Sequence, residues 1–357
     1  MLVNTVFKPF FHRSIRHLST DAPAIQMPRQ VVDSHGLPRK FLTIHDVDII
    51  HNPGKEYIDE FMRVYGKRRL NFKRNDIDMW KEHFGLRYEL IFICLKDTRK
   101  IVQTSHYLNY PAISPHIDGP HQYQGFLWID EEFRGKDTMQ LLDYCVKNQM
   151  RNVSDCVLGQ CLPPSMNMFY KSYGDNKYEH VTYVSYYKPS EMRVPEELKF
   201  PGITVKSANE VPDADITKYD QSIFPYDREK YMLAHLRDPA GIGKVAYDDN
   251  GNVVGLGIVV IYPSGECALN PLYADDPKVA QAIFKSILHE IDLNDKKLLR
   301  FHIKSLNKFD YGYRWFEPFV NVPLRREIMA YGVYTTHPAK VDYRRVFSNF
   351  SVTTSSV

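Results

Sequence analysis

An apolar strand that passes through a short acidic turn directly into a helix constrains this chain more than any other feature. The strand covers residues 125–129, the turn begins at Asp130, and a helical pattern with Leu141 and Leu142 follows. The first N–H groups of a helix have no partner within the helix, and they attract phosphate and other anions. The segment therefore predicts an anion cradle at a strand-to-helix junction.

The loop Asp-Glu-Glu-Phe-Arg-Gly-Lys at residues 130–136 resembles the pyrophosphate-binding segment of the GNAT acyltransferase superfamily. The family pattern is Arg or Gln, any two residues, Gly, any residue, then Gly or Ala, and Arg134 and Gly135 fit it. Asp137 and Met139 stand where the family has its later small residues. The resemblance implies a coenzyme A site made by the strand, the loop and the helix start. Its residues are Phe126, Trp128, Ile129, Arg134, Gly135, Lys136, Asp137, Thr138 and Met139.

Asp137 affects this site in a specific way. Residues 137–140, Asp-Thr-Met-Gln, match an N-capping box in which the carboxylate accepts hydrogen bonds from the first-turn amides. A carboxylate there competes with a pyrophosphate, although Arg134 and Lys136 compensate for its charge. We therefore expect weakened affinity for the cofactor.

Residues 165–174, Ser-Met-Asn-Met-Phe-Tyr-Lys-Ser-Tyr-Gly, resemble a later GNAT helix that typically ends in Leu/Phe-Tyr, three residues and Gly. In many relatives that tyrosine protonates the departing thiolate, which makes Tyr170 the candidate general acid. Pro163 replaces the asparagine that often opens this helix. The alternative for Tyr170 is an ordinary core-edge tyrosine whose hydroxyl is bonded to the backbone.

No general base is evident in the sequence. Phe126 and Trp128 occupy the strand where several relatives place a catalytic Glu, so the candidates are carboxylates of the turn, His106 or ordered water. Glu132 represents the acidic trio, whose other members are Asp130 and Glu131. A solvated turn that favours the helix start and a structural histidine are the alternative interpretations.

The order of predicted elements indicates an α+β (α/β mixed) fold with two tandem GNAT-like domains. Each domain is expected to be a mixed, mostly antiparallel sheet flanked by helices, with a central splayed parallel strand pair. Residues 270–280 carry the resemblance to the divergent second domain of tandem acetyltransferases. The predicted segments are a targeting segment (1–20), a linker (21–40), the catalytic domain (41–188), a proline-bearing linker (189–202), the second domain (203–335) and a tail (336–357).

Periodicity and turn signals place the individual elements. In the first domain, strands are predicted at 41–44, 87–94, 101–107, 123–129, 153–161 and 178–187, with helical spacing around 57–65 and 80–84. In the second domain, strands are predicted at 203–205, 244–248, 253–261, 266–270, 299–304 and 328–334, with helices up to Leu236 and at 277–290. The first cofactor gap is expected between residues 125–129 and 153–160. Asp276-Pro277 opens the helix of the second domain with a capping carboxylate and a proline. This helix start therefore offers few free N–H groups to a pyrophosphate and adds a negative charge.

Composition excludes several classes of protein. The 357 residues are 43% hydrophobic and 25% charged, and no apolar run approaches the roughly 20 residues of a membrane span. The five cysteines have no spacing that suggests a disulfide framework or a zinc site. The net charge of +3 falls to zero without Lys8, Arg13 and Arg16, so nothing electrostatic indicates nucleic acid or an anionic membrane.

Residues 1–20 are basic, free of acids and amphipathic, and they resemble a mitochondrial targeting sequence. Arg16-His17-Leu18-Ser19 resembles a processing site of the matrix peptidases. The expected location is the mitochondrial matrix, and otherwise the cytoplasm. A frayed basic terminus is the alternative interpretation.

Taken together, the resemblance implies an acyl-CoA-dependent N-acyltransferase without a metal. The simplest form is an N-acetyltransferase that uses acetyl-CoA (coenzyme A as co-substrate) and acts on a small amine or amino-acid acceptor. Two alternatives are a catalytically impaired binding or regulatory protein of the same fold, and an amino-acid (glycine-type) N-acyltransferase. The second domain is expected to shape the acceptor pocket, cover the first domain, or bind another ligand.

Overall fold

A computed structural model describes residues 42–65, 72–117, 119–134, 157–161, 177–306, 313–334 and 338–350. Within these residues the strands are β1 (Val47–His51), β2 (Tyr88–Leu95), β3 (Ile101–Tyr110), β4 (His121–Ile129), β5 (Val157–Cys161), β6 (Lys177–Tyr187), β7 (Ile203–Ser207), β8 (Gly241–Asp248), β9 (Val253–Ile261), β10 (Glu266–Ala274), β11 (Arg300–Leu306), β12 (Glu327–Tyr334) and β13 (Val346–Ser348). The helices are α1 (Lys55–Tyr65), α2 (Arg74–Phe84), α3 (Asp213–Ile223), α4 (Glu229–Leu236) and α5 (Pro277–Leu288).

The described strands form one continuous mixed sheet. Its order is β1-β2-β3-β4-β5-β12-β6-β11-β10-β9-β8-β7, and β13 also pairs with β10. The pairs β4–β5 and β10–β11 are parallel, and the other pairs are antiparallel. The predicted fold class is therefore confirmed, with one parallel pair in each half of the chain.

The two halves of the chain share their central strands. We call residues 42–188 the first half and residues 203–350 the second half. β12 comes from the second half, yet it lies between β5 and β6 of the first half. β6 in turn pairs with β11 of the second half. Each half therefore completes the sheet of the other.

Most predicted elements are found where the sequence placed them, including both hairpins and the strand that ends at Ile129. The first strand is an exception: residues 42–46 form a turn, and β1 begins at Val47. Asp46 stabilises that turn, because its carboxylate accepts hydrogen bonds from the backbone N and the hydroxyl of Thr43. The predicted tail is a second exception, because it contains β13.

Helices α1 and α2 cover one face of the first half because their apolar residues recur at helical spacing. Ile58 and Phe61 of α1 and Ile77 and Trp80 of α2 are fully buried. In the second half, α5 lies against β7, β8, β9 and β10 with an almost continuous apolar face. Within the described residues, none of the helices has the length and apolarity that a membrane crossing requires.

A buried polar contact joins α2 to the second half. The ammonium group of Lys73, at the cap of α2, forms an ion pair with Asp238 beyond α4. Asp76 accepts a hydrogen bond from the backbone N of Lys73 at 2.9 Å. Burial raises the pKa of Asp76 to about 7, Lys73 opposes that rise, and the negative charge of Asp238 adds to it.

This pKa predicts how stability depends on pH. The folded chain keeps a proton on Asp76 that the unfolded chain, with a pKa near 3.8, has already released. Stability therefore falls as pH rises from about 4 to about 7. Between pH 5 and pH 8 the free energy of unfolding of the Asp76→Asn variant should therefore fall by about 2 kcal/mol less than that of the original protein. Urea unfolding of both proteins at pH 5 and pH 8 measures it, and equal losses in the two proteins would contradict the assignment.

Candidate functional site

The parallel strands β4 and β5 separate at the position predicted for the cofactor gap. Their pairing runs through three positions and ends at Gln124 opposite Gly159. β4 continues to Ile129 and β5 to Cys161. In the described part of the chain, no strand pairs with β4 on this side beyond Gln124. We call this gap the first cleft.

A β-bulge turns the backbone of β4 at the mouth of the first cleft. Thr104 of β3 faces Trp128 and His106 faces Gly125, so Ser105 lies opposite two residues of β4. One of these, Phe126, has a φ angle of +51°, a conformation that costs energy for a bulky residue. Bulges of this kind commonly redirect the chain next to functional sites.

Two hydroxyl groups of β3 hold the bulge in place. Thr104 Oγ1 donates to the carbonyl oxygen of Phe126 at 2.9 Å, and Ser105 Oγ donates to that of Gly125 at 3.4 Å. In a trans peptide the N–H group points opposite to the C=O group. The N–H of Leu127, which belongs to the same peptide, therefore points away from the hydroxyl of Thr104.

The three strand residues predicted to contact the cofactor have different surroundings. Phe126 is buried among aromatic rings, with Phe72 and His106 each 4.7 Å away between centroids. Trp128 lies on the same face, 6.2 Å from the ring of Tyr65. Ile129 is partly buried and packs against a separate apolar cluster. Phe126 and Trp128 thus fix the bulge from the helical side.

The carboxylates of the acidic turn are already engaged. Asp130 accepts a hydrogen bond from the backbone N of Glu132 at 3.0 Å and caps a short 3-10 turn. Glu132 is exposed and forms an ion pair of 2.7 Å with Lys100. Arg134 is exposed, and its Nε donates to the carbonyl oxygen of Ile129 at 3.2 Å. The turn therefore brings Arg134 back to the end of β4.

His106 lies beside the bulge but within the core. Its ring contacts Trp80 edge-on at 5.0 Å and Tyr88 at 5.6 Å, and the side chain is fully buried. These surroundings favour packing, although the ring also touches Phe126 at the bulge. The roles of His106 and Glu132 as candidate bases stay predictions.

The remaining predicted residues lie outside the described residues. They are Gly135, Lys136, Asp137, Thr138 and Met139 of the phosphate loop, and Tyr170 of the later helix. The targeting segment, residues 1–20, also lies outside them. Among the residues that are described, no group of three or more His, Cys, Asp or Glu is arranged to hold a metal ion.

The equivalent gap in the second half is filled by the chain itself. The parallel pairing of β10 and β11 ends at Leu269 opposite Ile303. β13 then pairs with β10, and the backbone N of Asn349 donates to the carbonyl oxygen of Lys304 on β11 at 3.2 Å. We call this gap the second cleft. Its occupant, residues 346–350, is completely buried.

The helix that follows the second cleft is also capped by its own side chain, as predicted. Asp276 accepts hydrogen bonds from the backbone N atoms of Lys278 and Val279 at 2.7 and 3.0 Å. Pro277 removes a further donor from the first turn. An anion at this helix start would meet a carboxylate and few free N–H groups.

Sequence reasoning missed Thr104 and Ser105. The available signal was a polar run, Gln103-Thr104-Ser105-His106, inside a strand that otherwise predicts burial. All four side chains are fully buried. Buried hydroxyl groups are almost always hydrogen-bonded, so such a run points to an irregular backbone nearby.

Two parallel strand pairs, each of which follows a β-hairpin and separates after three or four positions, define a tandem GNAT fold. Residues 216–309 match the sequence family described as "Acetyltransferase (GNAT) domain". Residues 44–223 match the family described as "Protein of unknown function (DUF1248)". The chain belongs to this second family. No curated protein matches the chain.

Solved structures support the same fold. A putative acetyltransferase from Pyrococcus horikoshii is 14% identical with a TM-score of 0.62, and the match covers 88% of this chain and 98% of that one. A tandem GNAT protein from the clavulanic acid biosynthesis pathway is 8% identical with a TM-score of 0.56, covering 81% and 97%. A fungal GCN5-related glucosamine N-acetyltransferase region is 11% identical with a TM-score of 0.55, covering 84% and 39%. At these identities the likeness concerns the fold.

Proposed function

We propose that this protein is an acyl-CoA-dependent N-acyltransferase, in its simplest form an N-acetyltransferase acting on a small amine, with its active site in the first half. The observation that carries the proposal is the contrast between the two clefts. The first cleft has parted strands and a bulge held by two hydroxyl groups. The second cleft is filled by β13.

The bulge of β4 and the position of Arg134 at the end of this strand support an acyl-CoA site in the first cleft. Acetyl-CoA would supply an activated acyl group as a thioester. The N–H of Leu127 would bind the thioester carbonyl oxygen and stabilise the charge that develops there. Arg134 and the amides of residues 135–139 would bind the pyrophosphate. Tyr170 would donate a proton to the leaving sulfur.

A binding protein of the same fold is the second candidate. The observation that favours it is the state of the candidate bases: Glu132 is paired with Lys100, and His106 is packed among aromatic rings. Such a protein would not transfer an acyl group, and its altered loop at Asp137 and Met139 would no longer recruit acyl-CoA.

Binding and turnover separate these candidates. The full-length protein is titrated with acetyl-CoA by calorimetry, and thiol release is followed with acetyl-, benzoyl- and longer acyl-CoA over a panel of amines and amino acids. The enzyme predicts one acetyl-CoA per chain and thiol release that depends on the acceptor. Neither binding nor thiol release with any acyl-CoA would favour the binding protein. Binding without thiol release would overturn the enzyme and leave a catalytically impaired protein that still holds the cofactor.

Thr104→Val tests the contribution of the bulge. The substitution keeps the branched shape but removes the hydroxyl that holds the Phe126 carbonyl. Because one hydrogen bond is worth about 1 kcal/mol, we expect acetyl-CoA to bind about fivefold more weakly. The matched control is Thr217→Val on α3, where the buried hydroxyl has no partner among the described residues. Equal dissociation constants for the two variants would argue against a cofactor site at the bulge.

A further inference from the structure

Tyr334 lies at the closed end of the first cleft, where it touches both walls. It is the last residue of β12, and its Cα partner is Leu158 of β5. Leu158 is itself opposite Tyr123 of β4, one position before the pairing of β4 and β5 ends. The ring of Tyr334 is also 5.7 Å from the ring of His121, the first residue of β4. Tyr334 is completely buried.

Tyr343 contacts Tyr334 from the turn that precedes the segment filling the second cleft. The two hydroxyl oxygens are 2.9 Å apart, and both side chains are buried. Tyr343 opens a 3-10 turn that leads directly into β13.

The second half anchors this turn on both sides of Tyr343. The backbone N of Asp342 donates to the carbonyl oxygen of Ile223 at the end of α3. Arg345 donates to the hydroxyl of Ser222 at 2.9 Å and forms an ion pair of 2.7 Å with Asp275. The position of Tyr343 is therefore set by the second half.

We propose that the Tyr334–Tyr343 pair is a positioning contact through which the filled second cleft sets the opening of the first cleft. The inference rests on the proposed function for its effect on acetyl-CoA. The strands separate within one or two residues of the contact, so a small shift of β12 moves β5 relative to β4. Tyr334 and Tyr343 act through the strands and not on substrate.

The test uses Tyr343→Phe, Tyr334→Phe and the double variant in the full-length protein. Each single variant loses the bond between the two hydroxyl groups, and the double variant removes both hydroxyl groups of the same bond. The matched control is Tyr247→Phe. Tyr247 lies on β8, which is far from β4 and β5 in the sheet, and the substitution removes a partly buried hydrogen bond of 2.8 Å from its hydroxyl to Asp215.

Two measurements are made on each variant. Hydrogen exchange of the peptides that span β4 and β5 reports the opening of the strands without any ligand. Calorimetric titration reports the dissociation constant for acetyl-CoA. We expect each single variant to exchange about fivefold faster in β4 and β5 and to bind acetyl-CoA about fivefold more weakly. The double variant should show effects no larger than a single variant, because both substitutions break the same bond, and Tyr247→Phe should show neither effect.

The outcomes separate this inference from the proposed function. Unchanged exchange in β4 and β5 of the single variants, or equal changes in Tyr247→Phe, would overturn the positioning role. Faster exchange in a protein that binds no acetyl-CoA would support the positioning contact while the proposed function fails. Weaker binding with unchanged exchange would also overturn the inference, because the effect would not pass through the strands.

Discussion

A chain that ends at Arg345 will melt at least about 5 °C below a chain that ends at Phe350. The difference between the two chains is residues 346–350. Val346, Phe347 and Phe350 are buried, and burial of such side chains is worth roughly 1.5–3 kcal/mol each. Their removal therefore costs more than about 5 kcal/mol, a large part of the stability of an ordinary domain.

Polar groups left behind increase the cost of this truncation. Ser348 donates its hydroxyl to the carbonyl oxygen of Leu269 at 2.9 Å, and Lys304 donates its ammonium to that of Phe350 at 3.1 Å. Without residues 346–350, the buried Lys304 and the edges of β10 and β11 lose these partners. Unpaired buried polar groups are expensive.

Differential scanning fluorimetry of the two truncated chains makes the comparison, with circular dichroism as a check that both are folded at 20 °C. Because the shorter chain lacks an occupant for the second cleft, its unfolding should also begin in the second half. Equal melting temperatures for the two chains would show that β13 adds nothing to stability. That result would also remove the reason for assigning the active site to the first half.

The sequence predicted the elements well because each has a local signal. The spacing of Tyr57, Ile58, Phe61 and Tyr65 marks α1, and Asn250-Gly251 marks the turn between β8 and β9. The strand of the first cleft was also placed correctly, since five apolar residues precede an acidic turn. These signals are contained within a dozen residues.

Shared strands and the filled cleft have no such signal. β12 pairs with β5 and β6, which lie more than 140 residues earlier in the chain, and local periodicity carries no information about that choice. β13 has only three residues, too few to show an alternation. The bulge at Phe126 depends on a hydrogen bond from Thr104, which lies on another strand. A bulky residue therefore adopts a positive φ angle there, and the sequence has no glycine at that position to indicate it.

The two clefts share a strand pattern, but the chain's own strand fills the second one. In both halves a parallel pair separates after three or four paired residues. Both strands also carry a bulge at this point, at Phe126-Leu127 in β4 and at Asn270-Pro271 in β10. The first half adds a following loop whose sequence resembles a pyrophosphate-binding segment. The second half uses the same gap to bind the chain's own strand, so the gap becomes part of the core. A match to an acetyltransferase domain at residues 216–309 therefore identifies a fold and not the position of an active site.

The segment that fills the second cleft also helps to bury an ion pair between Arg228 and Asp220. Arg228 donates to both carboxylate oxygens, at 3.0 and 2.7 Å, and to the hydroxyl of Tyr273 at 3.1 Å. Its guanidinium also lies over the rings of Phe224 and Phe350, at 4.1 and 4.9 Å. Burial acts to lower the pKa of Arg228, but the charge of Asp220 outweighs it and keeps the guanidinium ionised.

Breaking this pair from one side will destabilise the protein by about 3–5 kcal/mol, because a buried charge is left without its partner. We expect this loss for Asp220→Asn and for Arg228→Met in urea unfolding. The double variant Asp220→Leu with Arg228→Met should recover more than half of it, since apolar side chains can replace a buried pair. Glu60→Gln, which breaks an exposed pair with Arg63, is the control and should leave the unfolding midpoint unchanged. If the single variants lost no more than this control, Arg228 would be solvated in the folded protein, and Phe350 would not be closing the second cleft over it.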